Sequence, residues 1–441
     1  MLLLHVSDIH FRWPDCLDEA TDQDHVVRTR VANHLRDRVD EMGPVDAILV
    51  GGDVAFSGHP DEYAAATRWL TELAGICGCS PTNRLFVVPG NHDVDRAIAG
   101  RHVGLQNAQH RLSRTPLADR ERALRRQLAD AGSGRDLFAA HVAYNNFAAP
   151  LNCQIYPSRL FWHQDVEMGG GVMLRINGLT STLLSGRDGE DDVERDLYLS
   201  PLQTAFDPVE DRVHLALCHH PVDWLADGDA VDDDMNARAR FQLFGHKHRQ
   251  RIVPTPGYLR VMAGAVNPSR KEPGWEPGYN LLRIDVEGAG PERKLRYETH
   301  QFRYQRAPEG FVPVLTEEGA DHHVGTVRFP GRVRTALTGA TPAAGRAATI
   351  PHGSIEAVPA GEQPAPIDDV EASMGDEARR DIIHRFWAMP GHRRREVMLS
   401  LGLIGEAELA IDEPERYGMA FLRAGERNQL DVLAELIDRD R

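Results

Sequence analysis

The chain has 441 residues, 41% of them hydrophobic, and a formal charge of −16. That is enough apolar material for a large core and enough length for two or three units, and the acidity excludes a generally basic, phosphate-tracking surface. No apolar run approaches the roughly 20 residues that span a bilayer, Met1-Leu2-Leu3-Leu4 lacks the basic flank and length of a signal peptide, and the five cysteines form no CxxC pair, so free thiols in the cytoplasm and no membrane are expected.

Leu2 to Val6 is an apolar run ending at Ser7-Asp8, and a helical pattern over Val26 to Val39 follows the cap-rich Thr21-Asp22-Gln23-Asp24. Ala47 to Val50 ends at Gly51-Gly52-Asp53, a second helix over Asp61 to Ala74 follows His59-Pro60, and Leu85 to Val88 ends at Pro89-Gly90-Asn91. Residues 97–150 read as a polar helical insertion, with eight arginines against three acids between Arg101 and Arg135. It is expected to be a solvated cap, or else a lid whose arginines meet an anionic substrate. Val213 to Cys218 then runs into His219-His220-Pro221, and Phe241 to Phe244 into Gly245-His246-Lys247-His248. Near-continuous apolar runs of this length fit strands covered on both faces, and alternation with helices gives βαβ units whose ligands gather at the carboxyl ends of the strands. Tyr258 to Ala263, Tyr279 to Val286 and Lys294 to Phe302 complete a first unit spanning 1–304.

Residues 305–372 gather Pro, Gly, Ala and Thr and read as a largely irregular linker, with one more strand over Val324 to Arg334. Periodicity returns in 373–441, where Ile382, Ile383, Phe386 and Trp387, then Val397, Met398 and Leu401, then Tyr417, Phe421 and Leu422, then Leu430, Leu433 and Ile437 make helical stripes. A small all-α bundle with no ligand cluster is expected to act as an adaptor toward a protein partner or itself, or merely to dock on the first unit.

Asp8-Ile9-His10, Gly52-Asp53, Gly90-Asn91-His92-Asp93, His219-His220-Pro221 and Gly245-His246-Lys247-His248 together supply carboxylate, imidazole and one carboxamide oxygen. This mixed set suits borderline divalent transition metals. The order and types of these segments resemble the calcineurin-like metallophosphoesterases, and their Asp-x-His, Gly-Asn-His-Asp and His-His-Pro forms resemble the branch acting on cyclic nucleotides and glycerophosphodiesters. The resemblance implies an α/β fold, a four-layer α-β-β-α sandwich, and two divalent ions (manganese, iron, zinc, cobalt or nickel). It implies that Asp8, His10, Asp53 and His248 hold one ion and that Asp53, Asn91, His219 and His246 hold the other. Asp53 bridges, its two oxygens addressing ions about 3.5 to 4 Å apart, and a bridging hydroxide attacks phosphorus in line.

The resemblance assigns Asn91 and His92 to the substrate phosphate, His92 as donor or general acid; Asp93 either orients that ring or caps its loop. His-x-Pro selects His219 over His220, which becomes a pocket residue, since consecutive residues leaving a strand point to opposite sides. His5 is expected in the core, His102, His110 and His141 on helix surfaces, and Arg12 on an exposed loop or reaching a substrate anion. The implied activity is hydrolysis of a small phosphodiester such as a cyclic nucleotide or nucleotide. One alternative is a nuclease of the same superfamily, because the bundle resembles death-like domains attached to effectors in bacterial conflict systems; nucleic acid would then enter only as substrate. Another is a ligand-sensing scaffold signalling through the bundle.

Overall fold

The computed structural model describes residues 1–271, 276–330 and most of 381–438. Two mixed sheets face each other across one hydrophobic core. The first contains β1 (Leu2–Val6), β2 (Ala47–Val50), β3 (Leu85–Val87), and, from far along the chain, the antiparallel pair Gly278–Glu287 and Lys294–Arg306. The second is built on β4 (Trp162–Gly169), β5 (Val172–Gly178), β6 (Arg212–Cys218) and β7 (Phe241–Phe244), followed in the chain by β8 (Arg251–Pro254) and β9 (Leu259–Met262).

Every residue of β1, β2, β3 and β7 is buried. Continuous apolar runs are what a strand needs when the opposite sheet covers one face and helices cover the other. Helix α1 (His25–Met42) and helix α2 (Pro60–Cys77) supply that cover, with Val27, Val31 and Leu35 of one and Leu70 and Leu73 of the other in the shared core. Helix α2 begins with His59 as N-cap, Pro60 in the first turn and Glu62 returning to the His59 amide, a reciprocal cap that fixes where the helix starts. Because β1, β2 and β3 are mutually parallel, as are β5, β6, β7 and β9, the loops leaving their carboxyl ends meet along one rim.

Several expectations need correction. The linker does not begin at 305: the strand from Lys294 runs on to Arg306, and Glu309–Pro313 and His323–Arg328 both pair with it antiparallel. A 13-residue strand has length for two partners end to end, a template invisible in the Pro- and Gly-bearing stretch that uses it. The first unit therefore reaches at least residue 328. The rest of the expected linker, 331–372, and the end of the strand placed at Val324 to Arg334 lie outside the described residues. The edge hairpin of β4 and β5 went unpredicted, although it alternates and turns at Gly169, Gly170 and Gly171, all at positive φ.

The insertion is helical at Val103–Arg114, Leu117–Ala129, Ala131–Leu137 and Val142–Ala148. Arg120 donates to the carbonyls of Ser113 and Thr115, while Arg122 and Arg125 pair with Asp119 and Glu121 one turn away. His141 is not on a surface: it is buried, with Nε2 2.9 Å from Thr182 Oγ1, and burial pushes it down to about 4. His102 caps the helix that starts at Val103, and His110 meets Asp188.

In the C-terminal region, Ile382, Phe386, Val397, Met398, Tyr417, Leu433 and Ile437 close a second core. Leu422, placed in a stripe, is exposed. This core includes Ala149 of the first unit. Around that contact the buried Arg395 donates to the carbonyls of Ala149, Pro150 and Thr82, Gln154 Nε2 donates to Leu409 O at 2.6 Å, and the Glu413 amide to Tyr156 Oη at 3.0 Å. The bundle is seated on the first unit. No helix among the described residues is long and apolar enough to cross a membrane.

Candidate metal centre

Each expected ligand lies just past a strand end on the common rim. Asp8 and His10 follow β1, Asp53 follows β2, Asn91 follows β3, His219 follows β6, and His246 and His248 follow β7. Five of these seven, Asp8, His10, Asp53, His246 and His248, have φ between 52° and 69°. Side chains rarely sit in that left-handed region, and such strain persists only where surrounding structure imposes it. Here the Asp8 amide donates to Gly52 O at 3.0 Å, and the amides of Ile9 and His10 both donate to Asp53 O. The glycines of the motifs are spacing requirements: a Cβ on Gly90 would lie 2.1 Å from Asp53 Oδ1, and one on Gly52 2.6 Å from His219 Nδ1.

Backbone carbonyls decide the histidine tautomers. His219 Nδ1–H donates to Gly51 O at 2.8 Å and His10 Nδ1–H to Asn267 O at 3.1 Å, because a carbonyl can only accept. In its neutral form each ring then turns a bare Nε2 lone pair to the centre. His219 Nε2 faces Asn91 Oδ1 at 3.0 Å and Asp53 Oδ2 at 3.4 Å, and His10 Nε2 faces the same Asp53 Oδ2 at 3.3 Å. Acceptors pointing at acceptors are stable only around a cation, and a carbonyl on the far nitrogen is the usual support of a metal-bound imidazole.

Two overlapping donor sets result. Asp8, His10 and His248 lie together, with Asp8 Oδ1 buried 3.3 Å from His248 Nε2. On the other side His219 and His246 converge, with Asn91 Oδ1 3.1 Å from His246 Nδ1. Asp53 Oδ2 stands between the sets. Its Oδ1 accepts the His92 amide at 2.8 Å. The nitrogen- and oxygen-rich donor set fits borderline divalent ions. A proton can also serve as the cation: burial disfavours charge on His219, but Asp53 and Asp8 outweigh it and lift the ring to about 9. Burial likewise acts against charge on Asp53, yet His219 and His92 hold its carboxyl well below the usual range.

His220 lies beside both His219 and His246, its ring centroid 4.7 Å from that of His219 and 4.5 Å from that of His246, close enough to be a third donor on that side. Ser181 Oγ accepts from the His220 amide at 3.3 Å and sits 2.9 Å from Nδ1, leaving Nε2 toward Asp192 Oδ2 at 3.4 Å. His92 stands at the edge with Nδ1–H donating to Phe56 O at 2.8 Å, and burial lowers its pKa against the pull of Asp53. Asp93 does not orient that ring. Its oxygens accept from the amides of Ala55 and Gly90 and from Tyr63 Oη, and burial followed by the nearby Asp53 raises it to about 6; it caps the loop. His5 and Cys218 are buried in the core. In the insertion Arg120, Arg122 and Arg125 hydrogen-bond or pair within it, and Arg120 also lies 5.4 Å from the Tyr198 ring centroid.

Residues 1–250 match the model of the calcineurin-like phosphoesterases. The chain belongs to that family. Residues 378–439 match the GTPase-associated adaptor domain, so the phosphoesterase unit carries an adaptor-type bundle. A relative, the glycerophosphodiester phosphodiesterase GpdQ of Enterobacter lignolyticus, is 35% identical over 98 residues, which is 21% of this chain and 30% of that protein. Among solved structures, Vps29 of Chaetomium thermophilum aligns at 12% identity and TM-score 0.28 over 74% of this chain and 98% of its own. The purple acid phosphatase PPD1 of yellow lupin (Lupinus luteus) seeds aligns at 11% identity and TM-score 0.36 over 74% and 53%.

Proposed function

We propose that the protein hydrolyses a small phosphodiester, a cyclic nucleotide or another nucleotide ester, at a centre of two divalent ions. The observation that carries this reading is the convergence of bare imidazole nitrogens and carboxylate oxygens on either side of Asp53 Oδ2. Asp8, His10, His248 and Asp53 would hold one ion and Asn91, His219, His246 and Asp53 the other. Bound there, such a pair supplies charge that polarises the phosphoryl oxygens and acidifies water. The chain's own groups do the rest. The His92 amide holds the Asp53 carboxylate through Oδ1, which orients Oδ2 toward the centre. His92, whose Nδ1–H is committed to Phe56 O, can carry a second proton only on Nε2, as imidazolium beside the bound anionic phosphate. That proton goes to the departing oxygen.

The bundle is read as an adaptor for a protein partner or a second copy, and the free cysteines fit a reducing compartment, the cytoplasm. The nuclease reading stays the alternative, with Arg101, Arg111, Arg114 and Arg126 of the insertion exposed. A ligand-sensing scaffold has no physical need for five ligands held in strained backbone. The test is a panel of 3′,5′-cyclic nucleotides, bis(p-nitrophenyl) phosphate and single-stranded DNA with manganese-loaded protein and parallel metal analysis. Hydrolysis of the small diesters with two bound ions is expected. Preferential cleavage of DNA would install the nuclease, and activity with one ion at full occupancy would sink the two-ion centre.

A further inference from the structure

Away from the rim, the seam between the phosphoesterase unit and the bundle encloses a recess of about 660 Å3, within the size range of small-molecule sites. One wall carries Asp165 of β4, Arg175 of β5 and Arg212 at the start of β6. A second is the segment from Tyr156 to Phe161, which includes Arg159, and the bundle contributes Trp387, Met389, Arg394 and Glu413. None of the metal-centre residues lines it.

The recess holds more positive charge than its carboxylates neutralise. Arg175 pairs with Asp165 through Nε and Nη2, both at 2.7 Å, and Arg212 reaches only that same carboxylate, at 3.7 Å. Across the seam Glu413 is shared in the same way: Arg394 donates to it at 2.8 Å and Arg159 lies 3.8 Å away, as does Arg416 from outside the lining. Four lining guanidinium groups against two carboxylates leave an excess of two positive charges, on a chain whose formal charge is −16. Arg212 is the group left over. Among the described residues its guanidinium donates no hydrogen bond and its Nε is buried without a partner. Burial and then the neighbouring Arg175 act against its charge, while Asp165 and the exposed Asp207 support it.

The rest of the lining is apolar and aromatic, with Leu128, Leu160, Phe161, Trp387 and Met389. Trp387 is 39% exposed, and Arg394 lies 5.0 Å from its ring centroid. Glu413 is buried, yet its Oε1 has no hydrogen bond among the described residues, which leaves an acceptor for a hydroxyl or amino group. A bare inorganic anion would use the charges and leave the aromatic wall wet. An apolar molecule would strip water from the guanidinium groups and return nothing. A phosphate monoester carries about two negative charges near neutral pH, which matches the excess, and a flat ring joined to it would cover the aromatic wall.

We propose that this recess binds a small phosphate monoester carried on a planar aromatic body, the chemistry of a nucleoside monophosphate, as a ligand that is held and not hydrolysed. The phosphate lies against Arg212 and Arg175, and the ring lies toward Trp387. Because those residues belong to different units, the ligand binds the seated bundle and not the released one, so it stabilises the seat. The inference stands apart from the phosphodiesterase reading.

The experiment titrates the manganese-loaded full chain, Arg212→Ala, Arg212→Lys and Trp387→Ala with adenosine 5′-monophosphate, adenosine and methyl phosphate. Affinity is read by calorimetry, and seating by the rate of limited proteolysis between the two units. Phosphate taken up at the rim is common to all four proteins. Guanosine and cytidine monophosphates and flavin mononucleotide are run as further arms to identify the ring. At least one aromatic monoester is expected to bind the wild type more tightly than adenosine or methyl phosphate and to slow cleavage. Its affinity should fall about tenfold in Arg212→Ala and in Trp387→Ala, the scale of one charged hydrogen bond, and recover in part in Arg212→Lys. Melting midpoints without ligand report folding, and the ligand preference of the wild type needs no variant to fold. No aromatic monoester exceeding methyl phosphate, or equal affinity in folded variants and wild type, would overturn the site. Binding that leaves cleavage between the units unchanged would overturn its place at the seam.

Discussion

The rim of the phosphoesterase unit and the seat of the helical bundle both bury charge, and they stabilise it by opposite means. At the seat, Arg395 and Arg416 are 5% and 2% exposed, and their guanidinium groups donate to backbone carbonyls of Ala149, Thr82, Leu409 and Ile411. Carbonyls neither titrate nor leave, so the seat is complete as the chain folds. At the rim, buried Asp53 faces the Nε2 atoms of His10 and His219, whose Nδ1 protons are committed to carbonyls on the far side, and buried Asp8 faces His248. That arrangement is finished only by an added cation, and its stability is therefore linked to what binds. One region is a joint and the other a receptor, though both look like buried polar clusters.

The sharpest way to break the comparison is Asp53→Asn. It removes the shared charge, so both ions should be lost and turnover should fall to background, while circular dichroism stays that of a folded protein. Full metal content in that variant would mean Asp53 is not the shared ligand. His92→Ala should leave metal content near normal and lower turnover by roughly 10²- to 10⁴-fold, with a smaller loss for p-nitrophenolate leaving groups. Loss of metal would place His92 among the ligands.

At the seat, Arg395→Ala leaves three carbonyls without their donor and should cost roughly 3–5 kcal/mol of docking or folding stability. Limited proteolysis between the two units should accelerate, and metal content should not move. A coupled loss of metal would show that seat and rim are one system. The smallest effect concerns pH. His141 is buried neutral, its pKa pushed down to about 4 from 6.5 in the unfolded chain, so its contribution is intact above pH 6.5 and is lost as pH falls through about 4. That amounts to at most about 3 kcal/mol. His141→Gln, which keeps a polar group toward Thr182, should flatten the acid limb of the melting profile; an unchanged limb would show that His141 is not buried in its neutral form.

How much of this was legible beforehand differs from residue to residue. Asp8, Asp53, Asn91, His219 and His246 could be placed because each follows an apolar run long enough to be a buried strand, and a strand end is a local property. The choice of His219 over His220 rested on the His-x-Pro pattern, and the two rings lie side by side at 4.7 Å. The role of Asp93 stayed open because both options begin from the same loop; Tyr63 and Ala55, 30 and 38 residues away, settle it. His141 was misplaced because a histidine in a polar helical stretch looks solvent-facing until Thr182 comes to rest against it. The strand at His323–Arg328 was legible in part, because the stretch from Val324 alternates, whereas the one at Glu309–Pro313 depends on the exposed length of an earlier strand, which no property of its own segment announces.

What the chain determines by itself is thus the donor inventory and its order along one rim, because hydrophobic period, turn residues and ligand chemistry are all written within a few neighbouring positions. The tertiary structure alone decides which nitrogen of each imidazole is bare. The carbonyls that make the choice for His10, His219 and His92 lie 257, 168 and 36 residues away. It also decides that the bundle sits on Ala149. Such contacts form only when distant segments are packed together, and side-chain pattern carries no record of backbone carbonyls that arrive from elsewhere.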